Sequence, residues 1–274
     1  MSTSEKSRPQ RKPQRSSQRK PRRSKGWKPD QHGAWAMVAF PALTGLILQP
    51  SWQAIPVLLT WWFGYFAFFA ASIWMRSRFR PINRKPVLVY GSATAVFGVI
   101  SLIANFSLLW WILPYAPLVA IAVYETYRRR PRSLASGWAT VFAAILMAPV
   151  AASAGVPVHL FDLDVPGQVW VAVAVYGAYY LGSVPYVKTL IRERGKKNWL
   201  IGSIGFHVAV LIAFWLTTVA GITHWFTVVV FAVLAIRAAA MPISGQRRTK
   251  PWRPRTIGLL ELGLSIFVVV AAFL

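Results

Sequence analysis

Long apolar runs separated by short, strongly basic loops constrain this chain more than any other feature. Runs near 20 residues meet the length needed to cross a bilayer as a helix, about 20 residues at 1.5 Å each. Closed β-barrels are the other way to span lipid, but they require alternating strands of about ten residues. A segment such as 87–104 is instead apolar on every side. The fold class is therefore all-α, a polytopic transmembrane helix bundle.

Nine spans account for the sequence, at about 33–49, 54–75, 87–104, 107–126, 134–155, 167–186, 199–219, 223–242 and 256–274. Turn-forming residues interrupt the apolar runs at Gln49-Pro50-Ser51, Asn105-Phe106-Ser107, Gly155-Val156-Pro157 and Gly221-Ile222-Thr223. The other breaks are basic. Of the 31 Lys and Arg residues, all but Arg237 fall in the N-terminal stretch or in the loops after spans two, four, six and eight. Arg237 is expected near the end of span eight, with its side chain snorkelling outward. Short loops rich in Lys and Arg stay on the cytoplasmic side. That rule places the N-terminus inside and the C-terminus outside. Trp27, Trp52, Trp74, Trp199, Trp225 and Trp252 fall at the expected interfaces, whereas Trp61, Trp62, Trp110 and Trp111 are candidates for packing between helices.

A net charge of +24 would suit a nucleic-acid binder. The 55% hydrophobic content confines that charge to loops, so nucleic acid is not the expected partner. Residues 1–28 hold eleven cations among Ser, Gln and Pro. A stretch of this composition buries too little apolar area to offset its ordering entropy and is expected to be a disordered polybasic tail. Beside anionic lipid head groups each cation is worth about 1 kcal/mol, so membrane lipids are its expected partner. The transmembrane helical domain then occupies 29–274. No A-x-A-type site follows the basic start, which reads as uncleaved. The chain has no cysteine, which removes disulfides and thiolate chemistry.

Gly33-Ala34-Trp35-Ala36-Met37-Val38 and Ser136-Gly137-Trp138-Ala139-Thr140-Val141 open spans one and five in the same direction, which suggests a 4+4+1 internal repeat. Ionisable groups within spans are functional candidates because burying one in lipid costs several kcal/mol without a partner or cavity. His32, Glu125, Glu193, His207 and Glu261 share the level of the basic loops, where Arg76, Arg80 and Arg192 could contact an anion. They suggest a cytoplasm-facing polar pocket for an anionic lipid head group or a diphosphate. Pairing of Glu125 with Arg128–Arg130 and of Glu193 with Arg192–Arg194 is the purely structural alternative. Two histidines do not define a metal or haem site, and no nucleotide, zincin or hydrolase motif is present. No metal is expected, and the cofactor is unknown. The Pro114-Tyr115-Ala116-Pro117 stretch is expected to kink span four.

Pro29-Asp30-Gln31-His32-Gly33-Ala34-Trp35-Ala36-Met37, and the later stretch Ser183–Arg194 followed by His207, resemble the YwiC-like family of bacterial integral membrane proteins. The similarity covers about 29–274 and implies a multi-pass protein of the bacterial cytoplasmic (inner) membrane, but it brings no activity with it. A more distant, architectural resemblance is to UbiA-type prenyltransferases, whose loops after spans two and six bind a magnesium diphosphate through aspartates. Here 76–86 has no carboxylate and 187–198 has only Glu193, a departure that counts against that chemistry. A UbiA-like membrane transferase and a small-solute permease are the two functional alternatives.

Overall fold

The computed structural model describes residues 26–29, 32–130, 132–159, 162–247 and 252–274. Ten α-helices dominate them: α1 (His32–Leu48), α2 (Ala54–Arg76), α3 (Arg84–Ala104), α4 (Ile112–Tyr127), α5 (Leu134–Ile145), α6 (Met147–Ala152), α7 (Gly167–Ile191), α8 (Lys197–Val219), α9 (Trp225–Arg247) and α10 (Pro254–Phe273). α5 and α6 are one rod broken at Leu146. Pro149 lacks the N–H that would bond the Ile145 carbonyl, so the ladder is interrupted there. The nine apolar segments read from the sequence coincide with these nine rods. Their ends agree to within about five residues, the widest gaps being at the start of α4 and at the close of α7 and α9.

Among the described residues, seven helical segments are long and apolar enough to cross a membrane: Ala54–Arg76, Pro81–Ala104, Phe106–Tyr127, Leu134–Gly155, Lys197–Val219, Trp225–Gly245 and Pro254–Phe273. The apolar part of α1, Ala34–Leu48, is shorter. α7 is long, but its tyrosines, Ser183 and Lys188 lower its hydropathy. The 134–155 rod is central, with 56% of its most apolar window buried, against 6% for Pro81–Ala104 at the periphery.

α2 and α3 form a close antiparallel pair, as do α8 and α9, while α1 packs on α6 and α7 packs on both α8 and α10. Close approach of α1 and α6 depends on Gly45, because a Cβ there would lie 2.0 Å from the Ala148 carbonyl oxygen. Helix ends follow from local chemistry. After α8, Gly221 takes φ +74°, and the N–H groups of Gly221 and Ile222 bond the Thr218 and Thr217 carbonyls in the manner of a left-handed C-terminal cap. Arg129 takes the same left-handed conformation after α4 despite its side chain, and Arg130 N–H bonds the Glu125 carbonyl.

The ends opposite the basic loops are tied by side chains. Asn105 Nδ2 donates to the carbonyls of Ala154 (3.0 Å) and Val156 (2.7 Å), and its Oδ1 accepts from Ser107. A two-residue antiparallel pairing, β1 (Val158–His159) with β2 (Asp162–Leu163), lies in the loop before α7. Hydropathy alone gives no sign of so short a hairpin. Its first N–H, that of Val158, donates to Ser107 Oγ at 2.7 Å. Residues 1–25, the bulk of the basic tail, lie outside the described residues. Just beyond them, the Trp27 carbonyl accepts from the Tyr90 hydroxyl at 2.7 Å.

Candidate functional site

One face of α7 carries Tyr176, Tyr179, Tyr180, Ser183 and Tyr186, spaced by three or four residues so that they stack along the same side of the helix. This stripe meets α9 and α10 and supplies the donors for a charge pair. Arg237 of α9, 7% exposed, donates through Nη1 to Oε1 of Glu261 of α10, 9% exposed. Tyr179 donates to the Glu261 carbonyl at 2.7 Å and lies 3.2 Å from Oε2, while the Ser183 hydroxyl donates to Oε2 at 2.9 Å. The guanidinium carbon of Arg237 sits 4.0 Å above the Tyr186 ring, a cation–π contact that further compensates a buried charge. Such compensation is required, because an isolated charge removed from water costs several kcal/mol even after relaxation.

His207 joins the edge of this network. Its Nδ1 lies 2.7 Å from the Ser203 carbonyl, and its ring meets that of Tyr186 edge-on with centroids 6.5 Å apart. A contact chain therefore runs from His207 through Tyr186 and Arg237 to Glu261. Gly182 permits the approach of α8, since a Cβ there would fall 2.8 Å from Phe206 and 3.1 Å from His207 Nε2.

Glu261 opens onto a cavity of about 520 Å³ where the ends of α1, α5, α7 and α10 converge. Tyr179, Tyr180 and Ser183 line it beside Glu261, Met37, Val141 and Val184 form apolar wall, and Arg132, Lys188 and Arg192 stand at the loop end. The Tyr180 hydroxyl, on a residue only 6% exposed, has no hydrogen-bond partner among the described residues. Arg237 likewise keeps Nε and Nη2 without an acceptor.

The residues singled out from the sequence are only partly brought together. Glu261 and Arg192 line the same cavity, and His207 reaches it through its neighbours. Glu125 is elsewhere, buried at the end of α4, with Oε1 accepting from Arg130 Nη2 at 3.3 Å. Glu193 pairs with Lys196 at 2.7 Å rather than with an arginine, and this bond holds its carboxyl below the usual range. Arg76 folds back on its own helix, donating to the Ser72 carbonyl at 3.0 Å, and Arg80 is exposed before the short 3₁₀ turn Pro81–Asn83. His32 begins α1, and its side chain lies outside the described residues. Among the described residues no three His, Asp or Glu side chains come together in a way that could hold a metal ion.

Arg237 departs most from expectation. Instead of snorkelling outward it turns inward to Glu261, since a full charge partner is worth more than partial hydration at a helix end. Two opposite charges in consecutive apolar segments were the available signal for this pair. The α7 stripe was also available as a three-and-four spacing of polar residues, whereas Arg132 and Lys188 looked like ordinary loop cations.

Comparison with known proteins agrees with the resemblance seen in the motifs. Residues 29–152 match the model of the YwiC-like protein family. The chain is 29% identical over 238 residues to the uncharacterized protein YwiC of Bacillus subtilis, covering 86% of this chain and 92% of that one. It is 23% identical over 246 residues to an uncharacterized protein of Haemophilus influenzae, covering 89% and 94% respectively. No solved structure matches.

Proposed function

We propose that this YwiC-like integral membrane protein is a nine-span protein of the bacterial inner membrane, with its N-terminus inside and its C-terminus outside, that binds an anionic head group in a cytoplasm-facing pocket. One observation carries the reading. Arg132, Lys188 and Arg192 line a single cavity whose one lining carboxylate, Glu261, is already neutralised by Arg237. The cavity thus has a surplus of cations at its mouth and an uncommitted hydroxyl, that of Tyr180, in its wall, the combination that suits a phosphate-bearing group. The basic tail strengthens attraction to the same class of lipid.

Binding of inorganic diphosphate and of phosphatidylglycerol to the purified protein in neutral nanodiscs tests the reading. The triple substitution Arg132→Gln, Lys188→Gln, Arg192→Gln should weaken binding by about tenfold or more, the equivalent of about 1.4 kcal/mol. Unchanged binding of both probes would remove the pocket from consideration. Diphosphate binding alone would indicate a soluble anion, and phosphatidylglycerol binding alone a lipid. A small-solute permease is the second reading, favoured by the ion pair between α9 and α10, since intramembrane charge pairs mark solute and proton paths. It predicts substrate-dependent uptake into vesicles.

A further inference from the structure

A second cavity, of about 590 Å³, lies between α2, α3, α4 and the 134–155 rod and is unlike the first in chemistry. No charged residue lines it. The polar atoms in and around its walls are mostly already used. The hydroxyls of Thr60, Ser101 and Thr140 each donate to a backbone carbonyl one turn back at 2.8 Å. Tyr115 donates to the Ala143 carbonyl at 2.8 Å, and Trp61 Nε1 donates to the Val38 carbonyl at 2.8 Å. Such a surface offers a ligand dispersion contacts and few hydrogen bonds. Its wall includes Leu109, Ile112 and Val119, which are also exposed on the outside of the bundle, so the cavity communicates with the surroundings of the helices. Its volume is within the range of about 300–1,000 Å³ typical of ligand sites.

The two cavities meet at α1 and α5. Met37 lines both, while Ala139, Thr140 and Ala143 face the apolar cavity and Gly137 and Val141 face the basic one. Between them stands an unbranched, flexible thioether side chain of the kind that adapts readily to a neighbour. We infer that the two cavities are the halves of one site for a long-chain anionic amphiphile, its charged head beside Arg132, Lys188 and Arg192 and its hydrocarbon chain passing Met37 into the apolar cavity. This inference rests on the head-group reading above and adds the chain as the feature that selects the ligand.

The probe is hexadecyl phosphate carrying a diazirine at the chain terminus, photolysed with the full-length protein in neutral nanodiscs and mapped by peptide sequencing. Label is expected on α2, α4 or α5 around Trp61, Leu118 and Ala143. Leu118→Trp and Ala143→Phe, each of which fills the cavity, should reduce that label at least about fivefold while leaving diphosphate binding intact, which also confirms that the variants are folded. Label confined to the outer surface of α3, or unaffected by both fillers, overturns the inference. Label in the cavity that persists in the Arg132→Gln, Lys188→Gln, Arg192→Gln protein also overturns it, since the chain then enters without its head being held by the cations. Loss of diphosphate binding in the unsubstituted protein would instead sink the head-group reading, so the two failures are distinct.

Discussion

The helices around the apolar cavity and those around Glu261 are built from similar apolar segments, yet they use their polar atoms in opposite ways. In the first region hydroxyls mostly bond the backbone of their own helix, as Thr60 does to Pro56 and Ser101 to Phe97. In the second they reach across the bundle, as Tyr179 and Ser183 do to Glu261 and Tyr176 does to Thr44. The difference follows from the solvent. Lipid tails are as apolar as leucine, so apolar faces gain little from choosing one another and can leave a cavity between them. Polar groups must find partners, and each partner fixes a register between helices. Specificity should therefore reside around Glu261 and tolerance around the apolar cavity.

Breaking the charge pair offers the hardest test of that contrast. Glu261→Ala leaves Arg237 buried without its carboxylate and should cost about 3–5 kcal/mol, read as loss of folded protein in thermal unfolding in detergent. Replacing both residues by Leu should recover most of that stability, because the cost arises from the unpaired charge. Equal loss in the single and double variants would show that the pair does more than neutralise itself.

Overpacking should rank next. Gly45→Ala places a methyl group against the Ala148 backbone and Gly182→Ala places one against Phe206 and His207, each costing about 1–3 kcal/mol. Gly182→Ala should be the milder of the two, since a side chain can yield where a carbonyl cannot. Tyr115→Phe, in the apolar region, removes one hydrogen bond and should cost about 1 kcal/mol.

Surface pairs should matter least. Arg130→Gln removes a partly exposed partner of Glu125 and should change stability by at most about 1 kcal/mol. The Glu193 carboxyl, held below its usual range first by its bond to Lys196, contributes stability above the unfolded carboxylate range and loses it as pH falls through the depressed value. A scan from pH 7 towards pH 3 should show a small, constant difference in midpoint between the unsubstituted protein and Glu193→Gln above about pH 5, which disappears as the pH falls through the depressed value. For sidedness, a reporter fused after Asp164 should read outside and one after Arg130 cytoplasm, and reversal at either site would overturn the proposed threading.

Hydropathy and turn residues in the sequence were enough to locate every helical rod, because an apolar run of about 20 residues has few other fates and because Asn105, Gly155 and Gly221 interrupt such runs where the chain reverses. Packing roles were harder to read. Trp61 and Trp111 do pack between elements, donating to the Val38 carbonyl and to Ser153 Oγ, whereas Trp62 and Trp110 stay exposed. Nothing in their shared apolar context separates those cases. The opposite charges of Arg237 and Glu261 in consecutive apolar segments were a signal for their pairing, but a one-dimensional reading knows how deep a charge lies along its helix and not which way it faces.

Sequence alone determined that this chain is a helix bundle with concentrated basic loops, since length, apolarity and charge are properties of consecutive residues. Tertiary structure alone decided that Glu261 belongs to Arg237, that Arg132, Lys188 and Arg192 share one cavity, and that Met37 stands between that cavity and an apolar one. Those relations depend on helix rotation and on contacts between residues such as Tyr179 and Glu261, 82 positions apart. No local pattern encodes them, because rotation is set by the sum of partners that every helix finds at once.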